Sequence, residues 1–447
     1  MKGEHDNEGY ESGSAKEVAH VAWPIVVSML SYTAMGVFDT LFVGWLGKTE
    51  LAAVGIATTA FFLVNALFMG TLRGVKVVSA QSTGAEKDSE AVSAGWVGAA
   101  LAVPFGLVVV GLSFLGGPIF AALGGSEAVQ ALARDYFGVR AVGAGFWYVT
   151  MALGNYFQGT GDTRTPMKVN LVANGANVAL DPLLIFGLGP VPALGVRGAA
   201  LATVLAQFVG MCIVFVLFLR AVGTKPALRR DVARKVVKLG FPMGVQQALG
   251  VAGFTAFTAM LARMGEAQLA AHQVALKIVS ISFLPGYGLS EATSILTGQY
   301  VGADDNAAAR RSFRSAMGLG VAMMGFCGVV FFAVPGYLIR VFNRHPAVVE
   351  IGANLLMVGA VFQVFDAVAM VATGALNGTG DTQFTMWASI LGKWLVLVPA
   401  AYLFGYVLDW GAAGAWLGLT AEILLVAVVV LSRFSGSRWE SKTAVTR

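Results

Sequence analysis

Charge is scarce in this chain. Its 447 residues include 30 Lys and Arg and 25 Asp and Glu, 12% together, about half the share of an ordinary soluble domain. So little charge leaves no room for a large soluble domain. Histidine and cysteine are sparser still. The four histidines are scattered, and Cys212 and Cys327 both sit inside apolar runs, where they read as small hydrophobes rather than as a disulfide or a metal site. No HExxH, G-x-S-x-G or His/Cys metal cluster occurs, so the chain is read as no enzyme and as holding no cofactor.

What fills the chain is apolar: 57% hydrophobic residues at a mean hydropathy of +0.72. A membrane helix takes roughly 20 mainly apolar residues, so the length accommodates twelve helices with short loops. Breaks at Gly, Pro and charge clusters predict them near 18–46, 51–78, 91–121, 131–157, 166–187, 196–221, 236–263, 268–297, 311–341, 347–374, 384–407 and 412–433. The first follows a polar stretch, Met1 to Glu17, carries Pro24 and Asp39, and runs too long for a signal-peptide core, so it is read as retained.

The formal charge of +5 invites a nucleic-acid reading, but its distribution argues against one. Basic residues gather in alternate loops: Lys225, Arg229, Arg230, Arg234, Lys235 and Lys238 in the central connection, Arg310, Arg311 and Arg314 later, and Arg433, Arg438, Lys442 and Arg447 in the tail. Loops between them hold little beyond Lys48, Arg197 and Arg263. The positive-inside rule then places both termini and the central connection in the cytoplasm, with the chain in the cell's inner membrane and an even number of helices.

The chain repeats itself. Pro24 matches Pro242, Leu51-Ala52-Ala53 matches Leu269-Ala270-Ala271, and Gln81 with Gly84-Ala85 matches Gln299 with Gly302-Ala303, all at an offset of 218. Gln158-Gly-Thr-Gly-Asp-Thr163 matches Asn377-Gly-Thr-Gly-Asp-Thr382 at 219. The expectation is an all-α integral membrane protein of twelve transmembrane helices in two pseudo-symmetric six-helix lobes, residues 1–221 and 239–447. A cytoplasmic linker at 222–238, basic and partly amphipathic, is expected to rest on the inner leaflet. Parallel six-helix repeats are a transporter architecture, with the substrate path between the lobes.

Ionisable groups inside membrane helices cost about 2.5–3.5 kcal/mol on insertion scales, so each needs a cavity or a partner. In the first half these are Asp39 and Asp181. Asn170, Asn174, Asn177 and Asp181 recur at spacings of four, three and four, which puts all four on one face of the fifth helix. That face is either a polar seam or a site. Counting 1.5 Å per residue from the flanking glycines sets Asp39, Asp181 and Thr203 at one depth, so with Asn177 they can share protons or hold Na⁺ through oxygen ligands. Pro24 and Pro182 cannot donate to the carbonyls of His20 and Val178, and so mark places where their helices can bend. At the repeat offset Asp39 corresponds to Phe257 and Asp181 to Ala400, so the carboxylates belong to one half. The second half carries His272, Lys277, Glu291, Asp366 and Lys393. An ion pair between Asp366 and a lysine competes there with a substrate or coupling role. The paired Gly-Thr-Gly-Asp-Thr segments lack the Lys-Ser/Thr ending of a phosphate loop and read as tight turns with a helix N-cap.

Trp23-Pro24, the segment from Gly36 through Asp39 to Gly44 with Leu46-Gly47, Ala80-Gln81 to Gly84-Ala85, Gln158 to Thr163 and Gly195 to Thr203 together resemble the multidrug and toxic compound extrusion (MATE) transporters. The resemblance spans both halves. It implies a MATE/MOP-type fold with lobes forming a V, a monomer in the lipid bilayer, and export of organic cations or amphipathic compounds driven by H⁺ or Na⁺ entry. It also implies that Asp39, Asn177, Asp181 and Thr203 form the cation site of the DinF-like branch, and that the first helix bends at Pro24. The acid that the NorM-like branch carries in the seventh helix is missing between Pro242 and Gly250, whereas Asp366 resembles that branch's tenth-helix acid. A lipid-linked precursor flippase is the alternative, which calls for several arginines along the cavity; a channel or receptor fits the repeat less well.

Overall fold

The computed structural model describes residues 10–187 and 191–445; the first nine residues and Arg447 of the basic tail lie outside it. Among the described residues the regular structure is helical throughout. The order is α1 (Ala15–Leu46), α2 (Lys48–Gly84), α3 (Asp88–Ser113), α4 (Gly116–Leu123), α5 (Glu127–Gly159), α6 (Arg164–Ile185), α7 (Gly195–Val222), α8 (Arg230–Arg263), α9 (Glu266–Gly302), α10 (Asn306–Ala333), α11 (Pro335–Phe342), α12 (Pro346–Thr379), α13 (Thr382–Leu391), α14 (Val398–Tyr402) and α15 (Gly411–Ser435). With Thr382–Val407 taken as a single span, ten helices among the described residues are long and apolar enough to cross a membrane. The two remaining long helices, α5 and α6, fall short of that measure. Arg134, Asp135 and Arg140 dilute the first, and Asn170, Asn174, Asn177 and Asp181 the second.

Three predicted spans are interrupted. The third divides into α3 and α4 around Phe114 and Leu115, ahead of the pair Gly116-Gly117. Its counterpart in the repeat divides into α10 and α11, where Pro335 opens the new helix and cannot donate to the turn before it. The eleventh span runs α13, a π-helical stretch Gly392–Leu397, α14, and a second π-helical stretch Leu403–Val407. Pro399 removes the N–H that would bond Leu395, and the backbone widens its turns on either side. The expected linker is also shorter, because residues 230–238 are the opening turns of α8. Lys235 there pairs with buried Glu90 at 2.5 Å, so part of the connection's basic charge is spent inside the protein.

Local chemistry sets the helix ends. Ser14 Oγ accepts from the N–H of Glu17 while Glu17 Oε2 accepts from the N–H of Gly13 at 2.6 Å, a reciprocal arrangement that starts α1. The first Gly-Thr-Gly-Asp-Thr segment is a turn, with Gly161 at φ +98° and Asp162 Oδ1 accepting from the Thr165 N–H at 2.9 Å. The second turns through Gly380 at φ +95°, but its Asp381 pairs instead with Arg433 at 2.7 Å.

The helices group into two compact units. The first comprises Val27–Ser79 and Lys87–Gly244; the second comprises Met1–Val26, Ala80–Glu86 and Val245–Arg447. They follow the sequence halves except where α1, α2 and α8 pass from one unit to the other. The passages in α1 and α8 come two residues after Pro24 and Pro242. The first unit's core gathers Phe61, Leu72, Phe137, Tyr148 and Ile185; the second's gathers Phe257, Ile278, Leu356, Phe362 and Trp416. Within the first unit, Gly70 and Gly74 of α2 face Gly240 and Gly244 of α8. A β-carbon at any of the four would strike the partner's backbone. Two facing G-x-x-x-G faces let the helices touch along their main chains, which is how membrane helices pack where lipid leaves no hydrophobic drive between them.

Candidate functional site

The polar face of α6 lies inside the first unit, and its four residues divide into two roles. Asn170 Oδ1 accepts from the Tyr32 hydroxyl at 3.2 Å, and Asn174 Nδ2 donates to Ser31 Oγ at 2.5 Å. These two are the seam to α1. One turn further, Asn177 Nδ2 donates to Thr203 Oγ1 of α7 at 3.3 Å, and Thr203 in turn donates to the Ala199 carbonyl. Asn177 and Asp181 are fully buried, and Thr203 is nearly so. Asn177 Oδ1 and both oxygens of Asp181 nevertheless have no hydrogen-bond partner among the described protein groups, and neither does the buried Oδ1 of Asp39. Buried polar atoms are normally satisfied. These four acceptors are free to take a ligand that can donate or coordinate.

Asp39 reaches this place from α1, within electrostatic reach of Asp181. Two ionised carboxylates in each other's field repel, and a proton or a cation held by either would relieve that repulsion. Asp39, Asn177, Asp181 and Thr203, read from the sequence as one constellation, are thus brought together on three helices. A cleft beside them is lined by Tyr32, Met35, Trp147, Asn174, Thr203 and Gln207. Pro182 lies in the last turn of α6, which ends at Ile185, so little helix remains beyond it to swing. Pro24 lies inside a continuous α1.

The second unit has a different polar cluster. Lys393, carried on the first π-helical stretch, pairs with Glu422 of α15 at 3.3 Å. Asp366 lies within electrostatic reach of both. The lysine's hydrogen-bonded partner is therefore Glu422, with Asp366 the neighbouring acid. Gln246 of α8 donates to Ser389 at 2.7 Å. Lys277 is exposed on α9. His272 is a satisfied core residue: Trp416 Nε1 donates to its Nδ1 at 3.1 Å, and Thr258 Oγ1 stands 3.4 Å from Nε2.

Two charged residues absent from the set read off the sequence belong at these places. Arg140 of α5 acts electrostatically on Asp39 and stacks over the Phe61 ring at 4.6 Å, and Glu422 completes the second unit's cluster. Each is a charge within a long helix, the same signal that singled out Asp39 and Asp181.

The MatE family model matches residues 24–183 and again 242–403, two copies that begin at the repeated prolines. The chain is 29% identical over 441 residues to a probable multidrug resistance protein NorM of Thermotoga maritima, covering 97% of this chain and 94% of that protein. It is 30% identical over 436 residues to a probable NorM of Burkholderia mallei, covering 95% and 93%. Among solved structures it is similar to a MATE in the bent conformation, with a TM-score of 0.87 at 21% identity and coverage of 95% and 96%. A multidrug resistance MATE family transporter of the MOP superfamily in an outward-facing conformation gives 0.85 at 21% identity, with coverage of 94% and 96%.

Proposed function

The chain belongs to the MatE family of membrane transporters, and we propose that it exports cationic or amphipathic small molecules by alternating access, driven by H⁺ or Na⁺ entering at the first unit. Relatives named as multidrug resistance proteins support the substrate class. The observation that carries the coupling reading is the set of buried, unpartnered acceptors on Asp39, Asn177 and Asp181, with the two carboxylates in each other's field. An entering cation removes the repulsion between the carboxylates and lets the first unit close around them. Its departure restores the repulsion and favours the arrangement that accepts drug. The ion works through unequal affinity for the two arrangements, as any switching ligand must. The twelve-span topology, the basic loops and the even helix count support an inner-membrane position with both termini in the cytoplasm, and the self-contained repeat supports a monomer embedded in lipid.

Purified protein in proteoliposomes tests this reading. Export of a fluorescent organic cation should follow an imposed pH or Na⁺ gradient in the wild type. Asp39→Asn should lose that coupling while eluting as a folded, monodisperse species. Full gradient-driven transport by the variant would overturn the assignment.

A further inference from the structure

The repeated Gln-x-x-Gly-Ala landmarks of the two halves meet each other where α2 and α9 end, inside the second unit. A β-carbon on Gly84 would strike the Gln299 carbonyl, and one on Gly302 would strike that of Gln81, so each copy closes on the main chain of the other. Gln81 is fully buried there. Its Nε2 donates to the Gly378 carbonyl at 2.9 Å, and its Oε1 accepts from the N–H of Ala444 at 2.9 Å. The second partner belongs to the C-terminal tail, which leaves α15 at Ser435 and is fastened before it reaches Gln81. Trp439, fully buried, stacks on Phe434 at 4.8 Å, donates from Nε1 to the Phe434 carbonyl at 2.7 Å and lies against the Arg310 guanidinium at 5.1 Å. Arg310 also pairs with Glu440 at 2.7 Å and donates to the Gly436 carbonyl at 3.0 Å. Arg311, the next residue of α10, donates to the Ser12 carbonyl at 3.2 Å, so one turn of α10 holds both terminal segments.

We propose that residues 437–445 are a strap that fastens the end of α2 to the second unit and slows the rearrangement on which transport depends, an autoinhibitory contact made by the chain's own tail. The inference rests on the alternating-access reading above. α2 is shared: its body belongs to the first unit, and only Ala80–Glu86 to the second. A helix shared by two bodies that rearrange must either yield at the passage, here between Ser79 and Ala80, or pull its short end free. The tail opposes the second course. Freeing Gln81 parts its side-chain oxygen from the Ala444 N–H, and a buried polar group left without its partner is costly. The composition of the tail fits the role. Terminal segments are ordinarily loose unless something ties them down, and this one is tied at two places. Its large apolar side chains, Trp439 and Val445, are buried, while Ser437, Arg438, Ser441 and Lys442 are exposed. Two apolar anchors with a polar span between them hold a strap in place without making it part of the core.

The test uses the protein in proteoliposomes, with ethidium as the probe and whichever of a pH or a Na⁺ gradient drives the wild type. Three variants release the strap: a chain ending at Gly436, Trp439→Ala, and Ala444→Pro, which deletes the N–H given to Gln81 and leaves the Trp439 stack alone. Amide exchange over residues 79–86 and 437–445 reads release directly, and each variant should exchange faster there than the wild type. Turnover at saturating ethidium should rise about fivefold in Ala444→Pro, the worth of one hydrogen bond, and at least as much in the other two, with half-saturating ethidium unchanged. A tail that only stabilises the fold would instead lower turnover and melting temperature together. Release seen by exchange with turnover at or below the wild-type level overturns the proposal, as does a wild-type tail that exchanges like free chain. Where the shortened chain does not fold, Ala444→Pro decides. No gradient-driven transport by the wild type sinks the parent reading and the strap's role with it; transport at a rate that release leaves unchanged sinks the strap alone.

Discussion

Asn177 ties α6 to α7 through one bond to Thr203 while keeping its carbonyl oxygen pointed at no protein partner. Replacing it with Ala removes a neutral hydrogen bond worth about 1 kcal/mol and one potential ligand oxygen. Gradient-driven efflux should therefore fall by about fivefold, with little change in thermal stability, as read by transport assay and by melting of the purified protein. Glu422→Gln should act in the opposite way. It leaves Lys393 without its charged partner at a position where Glu422 is 4% exposed, and losing half of a buried pair costs on the order of 3 kcal/mol. A lower melting temperature is expected, with pH-driven coupling intact in the protein that folds. The spacing of the four polar residues on α6 was legible because a 3.6-residue period projects them onto one face. Arg140 was not, because α5 carries Arg134 and Asp135 near its start, and a third charge in that helix reads as part of its outer end until the fold brings it within electrostatic reach of Asp39.

At the scale of the helices, the glycine crossing of α2 and α8 makes the sharpest demand on sequence. Gly240→Val forces a branched side chain into the Thr71 carbonyl. Overpacking of this kind typically costs about 1–3 kcal/mol. The variant should melt several degrees lower in detergent, and Gly36→Ala, where a β-carbon meets nothing within 4 Å, should melt as the wild type does. Helix existence followed from apolar length and from Gly and Pro punctuation. The breaks between α3 and α4 and between α10 and α11 did not, since an unbroken apolar run hides a change of direction that the backbone makes at Gly116 and Pro335. The π-helical turns around Pro399 were hidden for the same reason. The proline was visible, but the widened register is a response of the backbone that composition does not encode.

Over the whole molecule the repeat was the strongest signal, because landmarks at a constant offset survive where overall likeness does not, and the family match begins at the same two prolines. The compact units follow that repeat but trade the first stretches of α1 and α8, and the sequence marks the two crossing points only through Pro24 and Pro242 just before them. Charge breaks the symmetry. Asp39, Arg140 and Asp181 have Phe257, Gly359 and Ala400 as counterparts, and the second unit's Asp366 shares its surroundings with the Lys393–Glu422 pair. Two buried acids with a single arginine in electrostatic reach of one of them also fit a cation site better than the pyrophosphate-binding cavity that a lipid-linked precursor flippase needs. The most direct measurement is pH-gradient-driven export of an organic cation from proteoliposomes containing Asp39→Asn or Asp366→Asn. Loss of coupling in Asp39→Asn with coupling retained in Asp366→Asn is the predicted result; coupling retained in the first and lost in the second would place the ion-responsive half on the other side of the repeat.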